Sequence, residues 1–238
     1  MLTQSTLNVI ASYWSSDFDC PVEQLLAQPL HVLTHGPALA GYNGIFALFR
    51  DGMATMSFPQ SKMTPLTRLL PDPPLTAAGF SNAFDRSGFR IVGPACLNYA
   101  EHIAVQHHAV RRLAETDTGA VRSLQEVSDS TEWEHGGIDS GAAASFGVIV
   151  GRELVSIAGY ELWGNTIAHI SVITHPAHRG RGYARSAVAQ AATAALEAGL
   201  IPQYRTLVSN GPSMSVAQSL GFDHYATSVA VKLGDFEV

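Results

Sequence analysis

Charge is scarce in this 238-residue chain: Asp, Glu, Lys and Arg together make up 14%. That level excludes a disordered polyelectrolyte, and 46% hydrophobic residues suffice for one large core or two modest ones. Lysine is nearly absent, with only Lys62 and Lys232. A net charge of −6 argues against a general nucleic-acid partner, which needs a basic face. Cysteine is limited to Cys20 and Cys96, far apart and without metal-ligand spacing, so no metal is expected and a reducing compartment suits the chain. No run approaches the roughly 18 apolar residues of a membrane span, and the start lacks a basic stretch followed by a long apolar one. These absences make a cytoplasmic protein with no membrane partner the expectation.

What the chain does have is a glycine-rich turn between two regular elements. Val172-Ile173-Thr174-His175-Pro176 closes an apolar, strand-like run, and Arg179-Gly180-Arg181-Gly182-Tyr183-Ala184 opens an alanine-rich helical segment. The first-turn N–H groups of a helix have no intrahelical partner, and the helix dipole adds about half a positive charge there. Gly180 and Gly182 allow close backbone approach, and Arg179, Arg181 and Arg185 add a positive field. The stretch therefore reads as a phosphate cradle. A dinucleotide fingerprint would need a third glycine where Arg185 stands, and the Gly-x-x-x-x-Gly-Lys-Ser/Thr loop is absent.

The run resembles the acyl-CoA pyrophosphate loop of the GNAT (GCN5-related) N-acetyltransferases, Arg/Gln-x-x-Gly-x-Gly/Ala, here Arg179-x-x-Gly182-x-Ala184 with Pro176 upstream. A second stretch, Ser209-Asn210-Gly211-Pro212-Ser213 leading to Leu220-Gly221-Phe222, resembles the family's later Asn-x-x-Ser/Ala segment. Capping chemistry agrees with a helix there: Asn210 before it, Pro212 in its first turn, Gly221 at its stop. The resemblance covers roughly residues 108 to 238. It implies an α/β (α+β) fold with a mixed, mostly antiparallel sheet flanked by helices. It also implies acetyl-CoA as cosubstrate and a small-molecule or peptide amine as acceptor, with the oligomeric state open. The implied CoA-binding residues are Val172, Ile173 and Thr174, whose strand backbone would meet the acetyl carbonyl, residues Arg179 to Ala184, and Asn210 and Ser213.

Periodicity places a short strand at Ala109–Leu113 and a helix across Val121–Val127 capped by Thr116 or Asp117. Residues Ser128–Ser145 read as a polar loop holding Glu132, Glu134 and His135. Strands are expected at Phe146–Val150, Leu154–Trp163, Thr166–Thr174, Gln203–Val208 and Tyr225–Leu233. Residues 1–107 carry no such motif and read as an α/β subdomain: a helix over Leu7–Phe18, a second closing at Leu25-Leu26, and strands at His31–Thr34, Ile45–Phe49 and Met53–Phe58. A turn is expected at Gly93-Pro94-Ala95, ahead of a helix at Leu97–Val105. The division is thus 1–107 and 108–238.

Two positions depart from the family pattern. Ala168 stands where many relatives carry a carboxylate, and Ala217 where many carry a Tyr. A two-residue turn at Gly164-Asn165 places Glu161 across from Ala168, which makes Glu161 the candidate base. His169 titrates in a useful range but reads as a hydrogen-bonded structural histidine. Either another donor, such as Ser213 or water, protonates the departing thiolate, or the thiolate leaves unassisted. These departures keep a rival reading open, a CoA-sensing or scaffold module with little chemistry of its own.

Overall fold

The computed structural model describes residues 1–104, 108–138 and 142–234, with the side chain of His135 also left undescribed. The fold is mixed α/β, a mostly antiparallel sheet flanked by helices, with an α/β subdomain contributed by the N-terminal residues. The elements run α1 Gln4–Phe18, β1 His31–Thr34, β2 Gly44–Arg50, β3 Met53–Phe58, α2 Met63–Thr67, α3 Ala77–Arg86 and β4 Arg90–Tyr99. They continue β5 Arg111–Arg112, α4 Thr118–Glu126, α5 Ser130–Gly136, β6 Ala144–Val150, β7 Glu153–Trp163 and β8 Ile167–Thr174. Last come α6 Tyr183–Glu197, β9 Ile201–Leu207, α7 Gly211–Leu220 and β10 Asp223–Lys232.

Contacts divide the chain into two discontinuous units, one of residues 3–97, 206–211 and 224 onward, the other of 1–2, 98–205 and 212–223. In the first, strands lie in the order β1-β3-β2-β10-β4. β2 and β3 form the antiparallel hairpin that the Arg50-Asp51-Gly52 turn predicts, with Asp51 and Gly52 both left-handed. Its core combines Ile45, Phe49, Met56 and Phe58 from that hairpin with Phe80 and Phe84 of α3 and Val229 and Val231 of β10. In the second, the order is β9-β8-β7-β6-β5. Helix α6 turns Ala187, Ala191 and Ala195, spaced by four, into that unit's core against Ala158, Ala168 and Ile170. Alanine leaves little between helix and sheet, so α6 lies close upon the strands that precede its own loop.

Three expectations are corrected here. Residues 90–99, expected to turn at Gly93-Pro94-Ala95 and then enter a helix, are instead the strand β4. Pro94 cannot donate, but its carbonyl accepts from Val208 N–H at 2.9 Å, so the strand keeps that bond through its acceptor side. Residues 130–136, expected to be loop, form α5, because Asp129 accepts from the N–H groups of Thr131 and Glu132 at 2.9 and 3.1 Å. The expected helix at Leu25-Leu26 is a single 3₁₀ turn over Val22–Gln24.

β10 lies beyond residue 107 in sequence, yet it pairs antiparallel with β2, from Thr227 opposite Phe49 to Lys232 opposite Gly44. A chain of residues 108–238 alone would bare that edge together with Val229 and Val231, each fully buried in the whole protein. Each valine forfeits roughly 1.5–3 kcal/mol on exposure, before the ladder is counted. Such a fragment is expected to show no cooperative thermal transition by circular dichroism. A melt as sharp as that of the full chain would show that β10 does not depend on β2.

Candidate active site

The cradle is built at the end of β8. Pro176–His178 form one 3₁₀ turn, with His175 Nδ1 accepting from Ala177 N–H at 3.1 Å. Arg179 is extended, and Gly180 and Gly182 then adopt φ of +75° and +81°. Two left-handed glycines separated by one residue form the turn that leads into α6, and Gly182 is its N-cap. His108 donates from Nε2 to the Arg181 carbonyl at 2.9 Å and lays its ring 4.7 Å from that of Tyr183. Arg185 points at the same place: its Nη2 is 3.8 Å from where a Gly182 Cβ would sit. Its Nε is enclosed with no hydrogen-bond partner among the described residues. An enclosed guanidinium N–H without an acceptor, beside the open first turn of a helix, fits a phosphate oxygen.

The basic residues of the loop do different things. Arg179, expected to face a phosphate, instead donates from Nε to the Thr174 carbonyl at 3.3 Å and from Nη2 to Glu132 at 2.5 Å. It braces the end of β8 against α5, with both charged groups about half exposed. Arg181 is exposed. His175 and His178 converge on Glu153, their Nε2 atoms 3.2 and 3.1 Å from its two carboxylate oxygens. Because His175 Nδ1 accepts from Ala177, its Nε2 carries the proton in the neutral ring, and the cluster reads as a hydrogen-bonded brace of the loop on β7.

β8 is paired with β7 along its whole length, from Ile167 opposite Trp163 to Thr174 opposite Ser156. With β9 it pairs in parallel only over Ile167, Ala168 and His169. Val172, Ile173 and Thr174 therefore lie beyond the last β9 partner, on the stretch of strand that leads into the cradle. Helix α5 closes over this stretch. A Cβ on Gly136 would come within 2.7 Å of the Val172 carbonyl, so only glycine permits the approach. The segment that holds Glu132, expected to be a polar loop, is thus regular structure, tied down at Glu132 and Gly136.

The register of the β7–β8 hairpin overturns the geometric reason for choosing Glu161. The loop takes three residues, not two. Gly164 and Asn165 are both left-handed, and Thr166 N–H donates to the Trp163 carbonyl at 3.3 Å while its own carbonyl accepts from Ile201. Glu161 consequently lies opposite His169, and Ala168 opposite Leu162. Ala168 is fully buried in the core under α6, whereas Glu161 is exposed with no ion-pair or hydrogen-bond partner among the described residues.

His169 is the residue whose role the sequence concealed. Its Nδ1 lies 2.9 Å from Gln203 Oε1, and Gln203 donates from Nε2 to the Tyr99 hydroxyl at 2.6 Å, with Gln203 and Tyr99 fully buried. The indole of Trp163 stacks on the imidazole at 3.9 Å and 12°. The His169 pKa is lowered to about 4, chiefly by burial, with the Gln203 bond pushing the other way and the positive charge of Arg205 adding to the lowering. A histidine protonated more easily unfolded than folded stabilises the protein fully above its unfolded value of about 6.5 and loses that contribution as pH falls towards 4. The loss is on the order of 3 kcal/mol. Urea unfolding at pH 7 and pH 4.5 should show it, and His169→Gln should remove most of the difference. An identical pH dependence in the variant would put the acid sensitivity elsewhere.

The second motif is placed locally as expected. Asn210 immediately precedes α7, its N–H bonded to the Leu207 carbonyl at 3.0 Å, Pro212 lies in the first turn, and Gly221 at the stop has φ of +86°. Ser213 shares a hydrogen bond with the hydroxyl of Tyr204, whose pKa is raised by burial. Ala217 and Tyr204 belong to the same core as α6.

A profile of the GNAT acetyltransferase family matches residues 90–229, more than half of the chain. The chain belongs to the GNAT acetyltransferase family. The fold of that family carries CoA-linked acyl transfer. No curated protein matches the sequence. Among solved structures, a GNAT-family acetyltransferase from Colwellia psychrerythraea aligns over 98% of this chain and 97% of its own, at 11% identity and a TM-score of 0.52. A GCN5-related N-acetyltransferase from Kribbella flavida aligns over 64% of this chain at 17% identity and a TM-score of 0.49. A GNAT-family protein from Novosphingobium aromaticivorans aligns over 60% at 24% identity and 0.47. The chain spans 66% of the length of the Novosphingobium protein and 63% of the Kribbella one. At 11% identity the likeness to the Colwellia structure is one of fold alone. Among the described residues, no helix is long and apolar enough to cross a membrane.

Proposed function

We propose that this GNAT protein is an N-acyltransferase that moves an acetyl group from acetyl-CoA to a primary amine. The observation that carries the reading is the enclosed Arg185 Nε, without a hydrogen-bond partner among the described residues, beside the glycine-built first turn of α6. Residues 180–184 and Arg185 would hold the diphosphate, and Val172, Ile173 and Thr174 would present backbone groups to the thioester carbonyl. Asn210 and Ser213 are assigned to the pantetheine arm by motif. The acceptor nitrogen must be neutral when it attacks. Glu161 is the carboxylate proposed to take its proton, directly or through water, from its position opposite His169. The bond formed is nitrogen to acyl carbon and the bond broken is carbon to sulfur. The leaving thiolate, a good leaving group with a reference pKa near 8.5, takes a proton from water or from the Ser213–Tyr204 hydroxyl pair.

The test is thiol release from acetyl-CoA in the presence of alkylamines, amino acids, aminoglycosides and lysine peptides. Amine-dependent release with acetylated product in the mass spectrum is the expected result. The buried alanines at 168 and 217 favour a second reading, a CoA-binding sensor or scaffold with weak chemistry. Micromolar CoA binding with no thiol release for any of these amines would establish that reading instead.

A further inference from the structure

The residues that meet at His169 form a row across neighbouring strands. Glu161 of β7 is opposite His169 of β8. His169 is opposite Gln203 of β9, and Gln203 donates to Tyr99 of β4. The row sits at the last pair that β8 and β9 share, separated by two residues from the stretch Val172 to Thr174, which keeps its β7 partners but has none on β9. Its chemistry is directional. Gln203 spends its amide N–H on Tyr99, so its carbonyl faces His169 and can only accept. His169 must then carry its proton on Nδ1, and its lone pair is on Nε2. That atom makes no hydrogen bond to any described residue, and it is not among the sealed, unpartnered polar atoms. The flat stack on Trp163 removes the ring's remaining freedom. Two buried side chains and an indole thus fix one tautomer and one ring orientation for a nitrogen that no described residue engages. A purely structural histidine has both nitrogens engaged or one facing solvent without such an orienting chain.

We propose that His169 is a positioning residue for the acceptor amine: its Nε2 accepts a hydrogen bond from the acceptor nitrogen, while the Glu161 carboxylate opposite it draws in the alkylammonium form. The inference deepens the acyltransfer reading above and rests on it. The low pKa of His169 agrees with this division of labour, because the ring stays neutral and accepting throughout the working pH range and leaves proton removal to the carboxylate. Selectivity follows from the pair. A primary ammonium can serve Nε2 and Glu161 with separate N–H groups, whereas a tertiary amine has one N–H at most and an alcohol offers no charge.

Asparagine and glutamine separate the two ring nitrogens. His169→Asn can keep a donor near Nδ1 and has nothing at the place of Nε2, whereas His169→Gln can reach that place with an amide oxygen. With the best amine of the panel, His169→Asn should raise the amine KM about tenfold or more. Its CoA affinity should stay within twofold of the wild-type value, and His169→Gln should recover part of the loss. Gln203→Leu, which frees the tautomer, should raise the amine KM in the same sense. In protein labelled with ¹⁵N-histidine, His169 should show the Nδ1–H tautomer at pH 7, and its Nε2 resonance should move when that amine is added to the CoA complex. An unchanged amine KM in folded His169→Asn, or an Nε2–H tautomer in the wild type, would overturn the assignment while leaving acyl transfer intact. Wild-type protein that binds CoA and acetylates no amine would overturn the acyltransfer reading, and with it this subsite.

Discussion

Gly182→Glu is expected to weaken CoA binding at least about a hundredfold while α6 and the core beneath it stay folded. A hundredfold corresponds to about 2.7 kcal/mol. Simple crowding is not the source. A Cβ at Gly182 would meet only His108 Nε2 at 3.5 Å and Arg185 Nη2 at 3.8 Å, which is ordinary contact. The backbone supplies the first part: with φ at +81°, any L-residue costs roughly 1–2 kcal/mol, and the loop relieves it by turning its N–H groups away. The carboxylate supplies the rest. Placed at the N-cap, it accepts from the same first-turn N–H groups and pairs with Arg185, occupying the site that a phosphate would need. That capping is favourable to the helix, which is why the fold should survive. Gly182→Asn is the control, since Asn tolerates the left-handed region and brings no charge, and it should lose far less. Isothermal titration with CoA, alongside a thermal melt for each variant, decides the matter. Wild-type affinity in folded Gly182→Glu would remove the cradle from residues 180–184.

The glycine turn ahead of α6 was legible because local chemistry alone dictates it. Glycine at 180 and 182 followed by an alanine-rich segment requires a strand-to-helix turn with open N–H groups, whatever surrounds it. The strands β2, β3, β7 and β8 were legible for the same reason, their alternation and turn residues being local. Three things depended on partners distant in sequence. Pro94 reads as a turn until Val208 supplies a donor for its carbonyl. The polar segment at 130–136 reads as a loop because its helix is fixed by the Asp129 cap, by tertiary ties at Glu132 and Gly136, and by one apolar side chain, Trp133, packed against Ile173 and its neighbours, with no periodic apolar face to announce it. Gly164-Asn165 does give two left-handed residues, but Thr166 leaves the β7–β8 ladder to bond Ile201. That one residue shifts the register and moves Glu161 from Ala168 to His169. Nothing local to His169 marks it either, since Gln203 and Tyr99 lie 34 and 104 positions from their respective partners.

Glu161→Gln is expected to lower turnover about a hundredfold, within the usual range for loss of a general base, with CoA affinity unchanged. The corrected register alters the reason for choosing this carboxylate but leaves it the candidate. Ala168 faces the core under α6 and has no room for a proton acceptor, whereas Glu161 stands exposed beside the fixed lone pair of His169. Glutamine keeps the length and one acceptor oxygen, so what it removes is the negative charge and the basicity. Glu132→Gln makes the comparison discriminating. Glu132 is ion-paired to Arg179, which also bonds the Thr174 carbonyl, so its loss loosens the strand end that leads into the cradle. It should therefore raise the KM for acetyl-CoA more than it lowers kcat, the reverse of the Glu161 result. Full turnover in Glu161→Gln together with a collapsed kcat in Glu132→Gln would exchange the two roles and make α5, not β7, the source of the base.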